Sequence, residues 1–335
     1  MHIPDNYLSP QTCAVMFAAV TPVLGLSLKK VQAQISEKKE TVPMLGISAS
    51  LSFLMMMFNV PIPGGTTAHA VGATLLAILI GPYAASLAVT LALVMQAFLF
   101  GDGGLLALGA NIFNMAIIMP FVGYALYRVA QKWHRPKLGV IIGSYIGINM
   151  AALMAGIELG IQPLIAHNAA GQPLYAPYPL HVAVFAMLFA HLLVAGWVEA
   201  AFTFAVYQFV QRVAPDELYQ PNQLTPATTK TTQLQRICYR FLGLLAILSP
   251  LGLLAKGTAW GEWNPTELLS LLKQQHLSQQ LPAGMAHGLN FNAVFSDYAV
   301  SGLPSALGYI LSAITAILIC YLFGKLVISY YRKNA

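Results

Sequence analysis

Apolar runs long enough to cross a lipid bilayer recur along this chain, and they restrict its fold more than any other feature of the sequence. A helix that spans the hydrocarbon core needs roughly 20 predominantly apolar residues. Hydrophobic residues make up 57% of the 335 residues and charged residues only 8%, whereas soluble domains carry about 25% charged residues. The sequence therefore predicts an all-α polytopic membrane protein.

The apolar runs predict about nine transmembrane helices. The third run is short, because Gly81 and Pro82 interrupt it, and a helix of that length is tolerated at membrane depth only among other helices. The predicted spans cover approximately residues 10–28, 43–60, 70–81, 83–100, 106–127, 138–160, 181–210, 238–255 and 305–328.

The basic residues predict the orientation of the chain. Cytoplasmic segments of membrane proteins are enriched in Lys and Arg. With the N-terminus outside and the C-terminus inside, only Lys256 and Lys273 of the 17 basic residues lie on the outer side. The inner side then holds Lys29, Lys30, Lys38, Lys39, Arg128, Lys132, Arg135, Lys137, Arg212, Lys230, Arg236, Arg240, Lys325, Arg332 and Lys333. We expect a multi-pass protein of the cell (inner) membrane.

A polar segment divides the chain into two modules. Residues 213–235 are rich in Thr, Gln and Pro and lack an apolar period, which is typical of a linker. The sequence predicts a seven-span module over residues 1–211, a cytoplasmic linker over 212–236, and a two-span module with an outer loop over 237–335.

The first residues, Met1-His2-Ile3-Pro4-Asp5-Asn6-Tyr7-Leu8, have the chemistry of a metal chelate. No basic residue forms the start of a secretory signal, so we expect Met1 to be retained as the natural N-terminus. Its α-amine, the amide nitrogen of His2 and the His2 imidazole form adjacent chelate rings around one ion. Loss of the amide proton requires a strongly polarising metal with a planar preference, which indicates Ni²⁺ or Cu²⁺. Without a further ligand, His2 is equally an ordinary second residue.

A second histidine on the same predicted side supplies a fourth nitrogen. His69 ends the loop Pro61-Ile-Pro-Gly-Gly-Thr-Thr-Ala-His69, although a histidine at a helix start is also a common core residue. Other outer polar residues are expected to support the ligands by hydrogen bonds, or to serve as ordinary caps, turns and interhelical contacts. They are Thr66, Thr67, Asp102, Asn111 and Asn114.

Several function classes lack their sequence signatures. The chain has no GxxxxGK[ST] phosphate loop, no HExxH motif and no recognisable Ser-His-Asp set. The three cysteines lie far apart in apolar segments, as small core residues do. We therefore expect no enzyme activity and no cofactor, and we expect a metal ion as the substrate.

Three motifs resemble the CbiM/NikM family: MHIPDNYLSP at the start, PIPGGTTAHA at residues 61–70 and FGDGGLLALGANIFNMA at residues 100–116. Members of that family are substrate-capture components of energy-coupling factor transporters for cobalt and nickel. The resemblance covers residues 1–210 and implies that Met1, His2 and His69 are the metal ligands. Asn6 stands where the family usually has glycine.

Residues 248–263, LSPLGLLAKGTAWGEW, and the closing span look like the accessory N component of such transporters, although a PDGLE motif is not intact. Fused chains of this type are more often associated with nickel. The resemblance implies a transmembrane coupling protein and cytoplasmic ATPase subunits as partners. Co²⁺ uptake for cobalamin synthesis, an autonomous ion-coupled metal carrier, and a membrane enzyme or assembly protein of cobalamin synthesis are the alternatives.

Overall fold

The computed structural model describes residues 1–37, 41–220 and 229–333, and it is 72% helical. The predicted basic residues Lys38 and Lys39, and the centre of the predicted linker, lie outside the described residues. The long helices are α1 (Pro10–Glu37), α2 (Thr41–Met57), α3 (Ala73–Ile80), α4 (Pro82–Met95), α6 (Met119–Lys132), α7 (Pro136–Gly160), α9 (Leu180–Ala190), α10 (Gly196–Val213), α11 (Thr229–Leu248), α12 (Pro265–Gln274) and α14 (Ser305–Lys333).

Short elements connect these helices. Strands β1 (Val60–Ile62) and β2 (Thr66–Ala68) form an antiparallel ribbon. The one-turn helices are α5 (Leu108–Asn111), α8 (Gln162–Ile165) and α13 (Ala283–Ala286). Three π-helical turns continue long helices, at Gln96–Phe100, Ile112–Ile118 and His191–Ala195, and 3₁₀ turns occupy Pro215–Glu217, Ser249–Leu254 and Ser296–Tyr298.

The prediction of an all-α polytopic membrane protein is confirmed. Within the described part of the chain, seven helical segments are long and apolar enough to cross a membrane, and Thr41–Met57 is a shorter apolar helix. The third predicted span is the eight-residue α3, which ends where Gly81 adopts a φ of 90° and Pro82 begins α4. The count of about nine spans and the orientation of the termini remain predictions.

Small residues set the closest helix contacts. Gly143 and Gly147 of α7 pack against α6, where a Cβ on Gly143 would lie 2.5 Å from the carbonyl oxygen of Gly123. These two glycines therefore serve a contact within the chain. The helix α14 packs against α2, and a Cβ on Gly46 would lie 3.0 Å from the carbonyl oxygen of Cys320. The C-terminal helices thus join the same bundle as α2.

One end of the bundle carries the first nine residues, the β1–β2 ribbon and residues 101–107, 161–179 and 255–304; we call it the loop face. A hydrogen bond from Ala176 N to the Tyr7 carbonyl joins two of these segments. Another, from Phe295 N to the Leu99 carbonyl, joins residues 255–304 to the π-helical turn Gln96–Phe100. A cavity of about 640 Å³ opens among the segments of the loop face. Its lining includes His2, His69 and Asp102.

Candidate metal centre

The N-terminal segment is folded into the loop face. Met1 is 2% exposed, His2 3% and Ile3 0%. The side chain of Asn111 brackets the backbone of Ile3, since its Oδ1 accepts from Ile3 N at 2.8 Å and its Nδ2 donates to the Ile3 carbonyl at 3.1 Å. Gly104 N donates to the same carbonyl at 2.9 Å. The first three residues are therefore fixed by the 103–111 segment.

Asp5 and Asn6 fix the next turn. The Asp5 carboxylate accepts hydrogen bonds from the backbone nitrogens of Leu105 and Leu106 at 3.0 and 2.7 Å. A Cβ at Gly104 would collide with the backbone nitrogen of Asp5, so glycine permits this approach. Asn6 has a φ of 69°, a left-handed conformation that glycine adopts freely and asparagine tolerates. Asparagine therefore fits this turn, and glycine would fit it as well.

His69 follows the ribbon, at the start of a loop whose backbone is hydrogen-bonded to helix α10. The buried carboxylate of Glu199, on α10, accepts hydrogen bonds from Val71 N at 2.8 Å and from Gly72 N at 3.0 Å. Thr66 on β2 donates to the carbonyl of Thr258 at 3.1 Å. The ribbon and the loop are therefore fixed by α10 and by the 255–264 segment together.

The two predicted histidines are in contact. His69 Nε2 lies 3.3 Å from His2 Nδ1, and the ring centroids are 5.0 Å apart. His69 Nδ1 lies 3.2 Å from the carbonyl of Ala70, an acceptor that requires a proton on Nδ1 and leaves a lone pair on Nε2. Burial, and then the neighbouring N-terminal amine and His2, lower the pKa of His69 well below its usual value. His69 is therefore a neutral ring with its free nitrogen facing His2.

A hydrogen-bond network orients the other imidazole. Gln96 Nε2 donates to Tyr298 Oη at 3.1 Å and to Asp102 Oδ2 at 3.3 Å, so Gln96 Oε1 faces His2 Nε2 at 3.3 Å. Acceptors face both ring nitrogens of His2, and Nδ1 offers a lone pair to a metal in the tautomer whose proton is on Nε2, where Gln96 Oε1 accepts it. Asp102 Oδ1 lies 3.2 Å from that Nδ1.

Tyr298 connects this network to the C-terminal part of the chain. Its hydroxyl donates to Asp102 Oδ2 at 2.5 Å. Burial, and then the charge of Asp102, raise the pKa of Tyr298 well above its usual value, so it remains a donor. Asp297 and Tyr298 have φ values of 54° and 59°, which bulky residues adopt only where the surrounding structure imposes them.

Glu262 contacts both backbone nitrogens of the predicted chelate. Its Oε1 lies 2.6 Å from the Met1 amine and 2.8 Å from the amide nitrogen of His2. One donor atom from each of His2, His69 and Glu262 lies within 4.8 Å of the others. The amine, the amide, two imidazoles and one carboxylate therefore gather at one point of the cavity wall.

Comparison with known proteins assigns the chain to a family. The profile described as CbiM, the cobalt uptake substrate-specific transmembrane region, matches residues 2–217. This chain belongs to the CbiM family. The PDGLE domain profile matches residues 235–333, so the segment that looks like an accessory N component matches that family although its motif is not intact.

Two relatives combine both parts. The chain is 64% identical over 319 residues to the "Probable fused nickel transport protein LarMN" of Lactiplantibacillus plantarum, with 95% of each chain covered. It is 42% identical to the "Fused nickel transport protein NikMN" of Rhodobacter capsulatus, covering 95% of this chain and 94% of the relative. A crystal structure of a transition metal transporter is 54% identical and covers 72% of this chain and 99% of its own, with a TM-score of 0.61.

The structure gathers most of the residues that the sequence singled out in the CbiM region. Met1, His2, His69 and Asp102 meet at the cavity, and Thr67 is buried in its wall. Asn111 holds the backbone next to His2, and Thr66 holds the ribbon. Asn114 instead donates to Glu158 at 2.7 Å. Glu158 is buried.

Sequence reasoning missed Gln96 and both site residues of the PDGLE domain, Glu262 and Tyr298. Gln96 is a polar residue within the apolar run Leu91–Phe100, which is a usable signal because buried amides require partners. Glu262 lies 260 residues from His2. No local spacing relates these residues, so their meeting depends on how the PDGLE domain packs on the CbiM region.

Proposed function

We propose that this chain is the substrate-binding membrane component of an importer that takes up Ni²⁺, and that four nitrogens bind the ion. They are the Met1 amine, the His2 amide nitrogen, His2 Nδ1 and His69 Nε2. The observation that carries the proposal is their convergence: the two ring nitrogens are 3.3 Å apart, and the amine and amide nitrogens share one acceptor, Glu262 Oε1.

The donor set supports nickel. An amine, a deprotonated amide and two imidazoles suit a square plane, in which Ni²⁺ gains a large ligand-field stabilisation, whereas Zn²⁺ prefers a tetrahedron. Cu²⁺ would bind such a set at least as well, so its exclusion in the cell depends on its scarcity. The names of the fused relatives also support nickel. The description of the family profile favours the alternative, Co²⁺ uptake by the same mechanism.

The transport cycle that we propose needs further subunits. The chain binds the ion from outside, and a transmembrane coupling protein with cytoplasmic ATPase subunits drives its release inward. No enzyme activity is assigned to the chain itself. Residues 1–211 form the metal-binding module, 212–236 the linker and 237–335 the accessory module. The protein lies in the inner membrane with its N-terminus outside and its C-terminus inside.

An extension of the N-terminus tests the amine as a ligand. A four-residue Gly/Ser extension that is not removed should lower the Ni²⁺ affinity measured by calorimetry on the purified chain by orders of magnitude, because the α-amine then lies beyond reach of the chelate. An extension of one residue is unsuitable, since it would place the histidine third and create another amine–amide–imidazole chelate. The same four residues added after Ala335 are the control. Ni²⁺ binding by the extended chain at the native affinity would refute the proposal.

A further inference from the structure

Glu262 Oε1 lies where a metal ion would meet the two backbone nitrogens. It accepts from the Met1 amine at 2.6 Å and from the His2 amide at 2.8 Å. A metal bound to those nitrogens replaces the hydrogens that point at this oxygen. The carboxylate and the ion therefore compete for the same position, and Glu262 must move when the four-nitrogen site is filled.

The segment that carries Glu262 is fixed against the cavity wall. Trp260 and Trp263 pack on Tyr178 with ring centroids 5.4 and 5.8 Å away. Asn264 caps α12 in a reciprocal capping box with Glu267. The PDGLE domain thus brings one carboxylate to the nitrogens of the first two residues in a defined geometry.

The three side chains around this point are close enough to hold one metal ion between them. Donor atoms of His2, His69 and Glu262 lie within 4.8 Å of one another. Two imidazoles and one carboxylate are a common donor set for divalent transition metals. This set requires no proton loss from the backbone, whereas the four-nitrogen set requires the loss of one proton from the Met1 ammonium and one from the His2 amide.

We propose that Glu262, with His2 and His69, forms a capture site that binds the incoming divalent transition-metal ion before the Met1 amine and the His2 amide coordinate it. The inference rests on the proposed function, because the ion is then passed to the four-nitrogen site. In that exchange two metal–nitrogen bonds form and the metal–carboxylate bond breaks. The Met1 ammonium and the His2 amide each lose one proton to solvent water.

The rates of Ni²⁺ association and dissociation distinguish a capture role of Glu262 from a purely structural one. Glu262→Gln keeps an oxygen that accepts from the amine and the amide, but it removes the charged ligand. A transient ligand on the binding pathway lowers the free-energy barrier for both association and dissociation of the metal. Its loss should therefore slow Ni²⁺ association and Ni²⁺ dissociation by about tenfold each, a factor similar to the loss of a steering charge on association. The equilibrium affinity should change much less than either rate.

Stopped-flow absorbance of Ni²⁺ binding to the full chain in detergent measures both rates. Glu267→Gln is the matched control, because it removes one charge from the same domain while glutamine can still complete the capping box. We expect native rates for Glu267→Gln. An unchanged association rate in Glu262→Gln, or an affinity lost only through faster dissociation, would overturn the capture role and leave Glu262 as a structural support.

A second experiment isolates the capture site at equilibrium. The four-residue N-terminal extension removes the chelating amine but leaves His2, His69 and Glu262. The extended chain should still bind Co²⁺, with a visible absorption spectrum, and Glu262→Gln in the extended chain should abolish that spectrum. Melting temperatures without metal show whether each variant is folded. Absence of Co²⁺ binding in a folded extended chain, or equal binding with and without Glu262, would contradict the inference.

The two proposals can fail separately. Native Ni²⁺ affinity in the extended chain would refute the amine ligand, while the rates of Glu262→Gln in the unextended chain still report on the capture site. A large loss of Ni²⁺ affinity in the extended chain, together with unchanged rates in Glu262→Gln, would retain the four-nitrogen site and reject the capture site.

Discussion

At the scale of single residues, hydrogen-bond acceptors beside the two imidazoles favour one tautomer of each ring. The Ala70 carbonyl sets the His69 ring, and Gln96 Oε1 sets the His2 ring. Partners of this kind orient metal-binding histidines and raise their basicity. The orientation of Gln96 is itself set by Tyr298 and Asp102, which accept from its Nε2.

Gln96→Met tests this orientation. Methionine has a similar length but cannot accept the His2 Nε2 proton, so the ring is free to adopt the other tautomer. We expect Ni²⁺ affinity to fall by about 10–100-fold in calorimetry. Gln131→Met removes a glutamine that bonds Tyr127 and Arg128 on α6, away from the cavity lining, and should bind Ni²⁺ normally. Equal affinities in the two variants would show that Gln96 does not set the ring.

At the scale of elements, the helices that reach the site depart from regular geometry next to it. The π-helical turns begin at Gln96, Ile112 and His191, and the residues in or beside the first two turns include Gln96 and Asn111. Such turns are frequent at functional sites. The apolar runs predicted the helices, and Gly81-Pro82 predicted the break between α3 and α4. The π-helical turns could not be predicted, because each adds one residue to a turn and a helix that is apolar on most sides has no periodic pattern to reveal it.

Glu199 joins two elements, because its carboxylate on α10 accepts hydrogen bonds from the backbone of the loop after His69. Two backbone hydrogen bonds to its carboxylate contribute about 1.5–3 kcal/mol each. Glu199→Gln keeps one acceptor oxygen and turns an amide NH₂ toward Val71 N or Gly72 N, so the loop should loosen. We expect a lower melting temperature in the absence of metal and weaker Ni²⁺ binding.

Glu158→Gln provides the comparison for Glu199→Gln. Glu158 is also a buried carboxylate on a long helix, but it bonds Asn114 and not the His69 loop. Its replacement should leave Ni²⁺ affinity near the native value even if stability changes. If both variants lose affinity equally, the effect is a general loss of stability, and Glu199 has no particular role in positioning His69.

At the scale of the whole molecule, the candidate site is assembled from both family regions. The candidate residues of the CbiM region could be found from the sequence, because the proposed ligands and Asp102 lie in short motifs with recognisable chemistry. Glu262 and Tyr298 could not, since the PDGLE profile match begins at residue 235 and their partners lie near residues 1 and 100. Contacts over such separations follow from domain packing, which no local pattern encodes.

The proposed dependence on separate ATPase subunits is also tested on the whole molecule. The purified chain, reconstituted alone in lipid vesicles, should bind Ni²⁺ without accumulating it against a gradient, because it contains no phosphate-binding loop. Co-reconstitution with a coupling protein and ATPases should produce uptake that requires ATP. Concentrative Ni²⁺ uptake by the chain alone, driven by an ion gradient, would instead support the autonomous carrier.

The spectroscopic state of bound nickel tests the four-nitrogen site most directly. Four nitrogens in a plane give low-spin Ni²⁺, so the native chain with one equivalent of Ni²⁺ should be yellow and diamagnetic. His69→Ala should lose this signal, and His134→Ala, an exposed histidine far from the cavity lining, should keep it. A paramagnetic, octahedral nickel spectrum in the native chain would contradict the proposed coordination and, with it, the assignment of the Met1 amine and His2 amide as ligands.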